Sequence, residues 1–499
     1  MLFFVFERLF RQFFFIKFCY NGQIMTRIAD KVLGSVSTMK THEIYGRVTK
    51  VLGLMVEIAG FGDHLSIGSH VTIRPTEGRD IPCEVVGFKD ERALLLPFGT
   101  LEGISLGAPA IIQETRPEIH PTDEWLGRVI NALGDPVDGN GPLDKGDVHV
   151  PLRNVPPPAH NRQRMGTQLD LGVRAMNSFL ATCQGQRMGI FSGSGVGKSV
   201  LLSMMARYTE AEVAVIGLVG ERGREVQEFL EDDLGEDGLR RSVVVVATGD
   251  EPALMRRQAA YMTMAIAEHF RAQGKKVLCL IDSLTRFAMA QREIGLSVGE
   301  PPTSKGYPPT TFGELARLLE RAGPGAPGEG SITGLFSVLV EGDDHNEPIS
   351  DAVRGIVDGH IVMDRSIADR GRYPAIDVLK SVSRSMPGAV SPERNQILKK
   401  AKQIITSYEN MEELIRLGAY RKGSDPVVDE AIKIYPQLEE FLSQDKDDRT
   451  SIDDTFDRLA EIVGGASGNK ARGNDQARDR RQFQSMGQQP TGGQTEGDA

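Results

Sequence analysis

Between residues 44 and 114 the apolar positions come in short, closely spaced runs. Val48, Val51, Leu54, Val56 and Ile58 form the first. Val71-Thr72-Ile73, Cys83-Glu84-Val85-Val86 and Ala93-Leu94-Leu95-Leu96 follow, after glycines at 60 and 62. Short β-rich runs separated by glycine turns predict a small N-terminal β-barrel over 44–114. From 115 to 386 the pattern changes. Met188–Phe191, Val213–Leu218, Val243–Ala247, Val277–Ile281 and Ile332–Val340 are nearly continuous apolar runs. Such runs belong to parallel strands covered on both faces. Helical stretches such as Pro252–Gln273 alternate with them, which predicts an α/β domain. After residue 387 the strands stop, and Glu393–Asn410, Met411–Leu417, Pro426–Ile434 and Ile452–Ile462 read as a helical domain over 387–462. Residues 463–499 carry few large apolar side chains and are expected to be a disordered tail.

The N-terminal end is unlike the rest. Ile28, Val32, Leu33 and Val36 recur at near-helical spacing, so 25–43 reads either as an amphipathic leader or as a weakly ordered one. Residues 1–24 hold eight phenylalanines before Tyr20, interrupted by Glu7, Arg8, Arg11 and Lys17. No apolar run there reaches the roughly 18 residues of a membrane span. An interfacial anchor, a partner-binding segment and an upstream extension compete; the extension, with a working start at Met25, is the expectation.

The 499 residues suffice for two to four domains. A formal net charge of −10 argues against nonspecific nucleic-acid binding as the main activity. Cys19, Cys83, Cys183 and Cys279 are scattered without a C-x-x-C pair, which fits a reducing cytoplasm and suggests neither a zinc site nor a disulfide framework.

The candidate chemistry starts at Ser192-Gly193-Ser194-Gly195-Val196-Gly197-Lys198-Ser199, between the apolar run 187–191 and the helix-like 200–206. Strand, glycine loop and helix in that order form a phosphate cradle. Backbone N–H groups of Gly193, Ser194, Gly195, Val196 and Gly197 would face a nucleotide's phosphates. Lys198 would reach the β and γ phosphates, and the Ser199 hydroxyl would hold Mg²⁺. The full pattern begins with Gly where this chain has Ser192; the remainder is intact.

Asp282 closes the strand run 277–281, where an acid orders Mg²⁺ beside such a loop or else caps the next helix. Glu221, in Gly220-Glu221-Arg222-Gly223-Arg224-Glu225, could polarise an attacking water, with Arg222 on the phosphate or holding the glutamate. The same run reads equally as a surface ion-pair cluster. Arg286 would share a face with Asp282 if the segment were helical there. Arg384 is a second arginine able to stabilise transferring phosphate, or a structural residue at a domain junction. Tyr373, on a proline-fixed loop, would stack on adenine or sit in the core.

Taken together these motifs resemble the hexameric rotary ATPases, the family of the F-type ATP synthase β subunit and the type III export ATPases. The likeness runs from about residue 44 to 462. It includes Pro301–Pro309 with Leu318–Gly323, and Arg372–Asp377. Within the family, Glu221–Phe229, Asp343–Ile349 and Asp358–Val362 are similar to the flagellar export form. The resemblance implies a P-loop (RecA-like) ATPase domain using ATP and Mg²⁺. It makes Glu221 the base, Asp282 the Mg²⁺-associated acid and Arg384 a finger into the adjacent subunit. Arg222 and Arg286 then line the phosphates and Tyr373 stacks on adenine. The implied partners are further copies in a homohexamer, a stator-like regulator on the leader, a central stalk protein, an export gate, chaperones and flagellar substrates. The implied location is the cytoplasmic face of the inner membrane, with no nucleic acid. Two other readings remain: a virulence-type III secretion ATPase, and an RNA-translocating ring ATPase. The latter calls for base-stacking aromatics on the barrel, where Phe61, Phe88 and Phe98 read as core or turn packing instead.

Overall fold

The computed structural model describes residues 44–114, 117–340 and 347–464. The expected extension 1–24, the leader 25–43 and residues 465–499 of the tail lie outside the described residues. Val463 and Gly464, expected in the tail, are instead the end of the last helix, because Val463 is buried against its neighbours.

Six antiparallel strands form the N-terminal barrel: β1 (Tyr45–Leu52), β2 (Met55–Ala59), β3 (His70–Ile73), β4 (Ile81–Lys89), β5 (Arg92–Pro97) and β6 (Pro109–Glu114). Their order is β1-β2-β5-β4-β3-β6, with β6 closing on β1. Val56, Ile58, Val71, Ile73, Cys83, Val85 and Leu95 fill the interior. Phe61 and Phe98 are buried, whereas Phe88 is half exposed beside the β4–β5 turn, its ring 6.0 Å from that of Phe61.

The central sheet holds β7 (Val129–Asn131), β8 (Arg187–Ser192), β9 (Val213–Glu221), β10 (Ser242–Thr248), β11 (Lys276–Asp282), β12 (Ser331–Leu339), β13 (Gly359–Met363) and β14 (Ile376–Ser383). Their order is β14-β13-β8-β12-β11-β9-β10-β7. Along this order all neighbours are parallel except β14, which runs back along β13; off this path, Gly323–Pro324 pairs antiparallel with β12. Helices α1 (Lys198–Tyr208), α2 (Ala253–Ala272) and α3 (Leu284–Ser297) lie in this domain, and α2 is buried over nearly its whole length. That coverage is why β9–β12 read as unbroken apolar runs.

The barrel is tied to this domain through a buried charge. Glu84 on β4 accepts from Arg153 Nη2 at 2.7 Å and from Arg257 on α2. The two guanidiniums outweigh burial and hold the Glu84 carboxyl below the usual range. Nearby, Arg321 grips Glu268 with two bonds of 2.9 and 2.8 Å. Both charges of each pair are satisfied, as burial requires.

The C-terminal domain is α4 (Pro392–Arg416), α5 (Pro426–Leu442) and α6 (Ile452–Gly464). The sequence pattern divides α4 near Asn410; the structure does not. Good helix formers continue to Gly418, whose φ of +69° ends the helix. Helix α5 also runs past its expected end, through Pro436. Tyr435, Leu438 and Phe441 are buried beyond that point, and their packing offsets the proline's cost of about 3 kcal/mol.

Candidate active site

Because β8, β12, β11 and β9 are parallel neighbours, their C-terminal ends meet at one edge. That edge is where ligands bind in open α/β sheets. A cleft of about 670 Å³ opens there, lined by the 193–199 loop, Glu221, Arg222, Arg286 and Arg365 among others. The loop curls through Gly195 and Gly197, with φ of +77° and +83°, and Lys198 is the first residue of α1. Non-glycine residues rarely adopt such angles. Beyond Gly195 the space is open.

Glu221 owes its position to the glycine before it. The β9–β10 register shifts between Val219 and Glu221, so Gly220 is an extra residue in the ladder with φ of +74°. A Cβ at Gly220 would lie 2.8 Å from Arg286 Cβ. The bulge turns the Glu221 side chain into the cleft, a common use of bulges beside reactive sites. Its Oε1 stands 3.5 Å from Lys198 Nζ. Lys198 donates to Asp282, which also accepts from Ser337 Oγ on β12 at 2.6 Å.

The electrostatics separate the two acids from the lysine. Burial alone would lower Lys198, but Asp282 and Glu221 outweigh it and hold the ammonium protonated. Burial and the Asp282 charge push the Glu221 carboxyl up to about 7; Lys198 and Arg286 oppose this only in part. A base poised near neutrality has both a useful ionised fraction and proton affinity. A general-base role for Glu221 requires the ionised carboxylate, so it predicts that kcat/KM for ATP climbs with pH through about 7. A profile flat from acid to alkaline pH would contradict that role for Glu221.

The remaining candidates divide by location. Arg286 lies in the first turn of α3, but Asp282 ends β11 before that helix begins. The two therefore do not share a helix face, and Arg286 reaches the cleft by packing on Gly220. The cap of α3 is Ser283, which accepts from Arg286 N, not Asp282. Arg222 lines the cleft mouth and pairs with Glu225 at 2.9 Å, so its ion-pair and site readings coincide. Tyr373 is half exposed, not core, and flanks the loop: a Cβ on Gly197 would lie 3.2 Å from its ring. Ser199 is exposed on the cleft wall. Arg384 is elsewhere. It follows β14, whose Ser383 pairs with Gly359 at the start of β13, whereas Ile376 pairs with Met363 at its end. Between those two pairings β13 advances only four residues, roughly 13 Å, because β14 bulges between Asp377 and Val382, and Arg384 lies beyond the far pairing. It cannot reach its own subunit's cleft. Sequence reasoning missed Arg365, which donates to Ser194 O at 2.9 Å, and Ser337. An arginine just after the apolar run 361–363 was the available signal for the first.

Residues 172–383 match the ATP synthase alpha/beta family nucleotide-binding domain, and residues 390–461 match the T3SS EscN ATPase C-terminal domain. The flagellum-specific ATP synthase of Caulobacter vibrioides is 59% identical over 437 residues, covering 87% of this chain and 98% of that protein. The chain belongs to the flagellum-specific ATP synthase family. Among solved structures, the assembled ATPase EscN of the enteropathogenic E. coli type III secretion system matches with a TM-score of 0.78 at 40% identity. The match covers 84% of this chain and 100% of that one. EscN in complex with its central stalk EscO matches at 0.77 and 39%, with the same coverage. The protein is thus an ATP-hydrolysing enzyme of the type III export class, and the barrel, parallel sheet and helical domain expected from sequence are its fold.

Proposed function

We propose that this protein hydrolyses ATP to energise flagellar protein export and flagellum assembly, working as a homohexamer on the cytoplasmic side of the export apparatus. The observation that carries this reading is the convergence of Lys198, Asp282 and Glu221 at one sheet edge, in a chain 59% identical to a flagellum-specific ATP synthase. The triphosphate lies along the 193–199 loop, with Lys198 on the β and γ phosphates. Glu221 orients water in line with the γ phosphorus and takes its proton. Arg222, Arg286 and Arg365 are cations at the same cleft, and Tyr373 stacks on adenine. Arg384 reaches the γ phosphate of the neighbouring subunit.

The Ser199 hydroxyl and the Asp282 carboxylate are the hard oxygen donors that suit Mg²⁺. The buried Arg286 Nε makes no hydrogen bond, and the buried Glu221 Oε1 has only the 3.5 Å ion pair to Lys198, which fits a polar ligand at the cleft. When bound, Mg²⁺ neutralises charge on the β and γ phosphates. Among the described residues no helix is long and apolar enough to cross a membrane. The partners in this reading are a stator-like regulator on the leader, an export gate, and chaperones with their substrates. A central stalk protein fits the same reading, since EscN is solved with its stalk EscO.

Deleting the gene should abolish filaments and swimming. Wild type should restore both, and Lys198→Ala should restore neither. Normal filament counts in the deletion strain would contradict a flagellar role.

A further inference from the structure

The segment leading from the barrel into the sheet forms a two-stranded antiparallel ribbon, in which Glu118 pairs with Pro151 and Ile119 with Val150. Ile119 and Val150 are buried in one core cluster with Trp125 and Leu152. Alternation along a strand then turns Glu118 and His120 to the other face, and His149 faces them from across the ribbon. His149 Nδ1 lies 2.7 Å from Glu118 Oε1, and His120 Nε2 lies 3.8 Å from the same oxygen. The two imidazole rings meet edge to face with centroids 4.3 Å apart. One ligating atom from each of the three residues lies within 4.8 Å of the others.

We propose that Glu118, His120 and His149 form a binding site for one divalent transition cation of the Zn²⁺ class. Two imidazole nitrogens and a carboxylate oxygen are a donor set that zinc takes, with water in the fourth position. Mg²⁺ and Ca²⁺ prefer oxygen alone. Ligands of a four-coordinate zinc stand about 3.3 Å apart, so the observed 2.7 and 3.8 Å spacings need only small side-chain adjustments. The backbone under the site is held in place. Gly146 N donates to His120 O at 2.9 Å, and Leu152 N donates to Pro117 O at 3.1 Å. Gly146 admits no side chain, since a Cβ there would lie 2.7 Å from Pro121 O. Glu118 lies in the ribbon itself, and His120 and His149 each flank it by one residue.

The ribbon sits at the edge of the sheet away from the nucleotide. Gly127 N bonds Ser242 O at the start of β10, and Asp123 pairs with Lys275 just before β11. The cation would therefore brace the entry from the barrel and take no part in phosphate chemistry.

The test is a Zn²⁺ titration of the full chain, without a histidine tag or nucleotide, by competition with a chromophoric chelator. Wild type should take up one equivalent at this site. His120→Ala and His149→Gln should each weaken that uptake at least about tenfold, and Glu118→Gln should weaken it less. Zn²⁺ should also raise the thermal midpoint of wild type and not that of His149→Gln, while Mg²⁺-dependent ATPase activity stays equal in both. Zn²⁺ uptake equal in wild type and both histidine variants would overturn the proposal, as would wild type that takes up none.

Discussion

Glu221→Gln is expected to lower kcat for ATP hydrolysis by about 10²–10⁴ while ATP still binds within a few-fold of wild type. The amide keeps the size of the side chain and loses its ability to accept a proton. Lys198 still has Asp282 as its partner, so the phosphate cradle stays assembled. The amide also removes a carboxyl that burial holds up to about 7, so the folded protein gives up no stabilising charge. Nucleotide binding followed by fluorescence, beside steady-state turnover, separates the two effects. Turnover near wild type in this variant would remove Glu221 from the chemistry. Equal loss of binding and turnover would make it a cradle residue instead.

Arg384→Ala should cost turnover by at least about 10³ with binding little changed, the range for an arginine supplied to a phosphoryl transition state. The side chain is exposed, and its polar contact, Nη2 to Arg354 O at 3.5 Å, is weak, so its removal should leave the monomer's stability unaffected. A structural arginine at a domain junction would behave in the opposite way, losing stability and keeping kcat. Thermal unfolding of the monomeric variant, measured beside turnover, tells these apart.

How much of this was legible in the sequence depends on how local each feature is. The 193–199 loop was, because strand, glycines and helix are consecutive and the glycine angles are a property of the loop itself. Asp282 and Glu221 were legible as strand-end acids, but not that Asp282 would hold Lys198 or that a bulge at Gly220 would aim Glu221. Those depend on which strands are neighbours. The helix α4 was divided near Asn410 because its apolar face weakens there, whereas propensity carries the helix on to Gly418. The helix expected to end at Ile434 runs on to Leu442, since burial of Leu438 and Phe441 is a tertiary effect. Arg384 carried a finger role only by resemblance. The antiparallel return of β14 places it at the opposite end of β13 from the 193–199 loop. His120 and His149 gave no signal at all, because only the ribbon register makes them neighbours.

Under the proposed function, one catalytic site is built from two copies of the chain. Mixing the two inactive variants, Glu221→Gln and Arg384→Ala, puts that sharing to the test. In a mixed ring, a cleft from the Arg384→Ala copy keeps Glu221 and can receive Arg384 from a neighbouring Glu221→Gln copy. With random assembly at equal amounts, about a quarter of the sites regain both groups, so ATPase activity should recover to roughly that fraction of wild type. Activity no higher than that of the two variants alone, in rings shown to have mixed, would contradict the shared site.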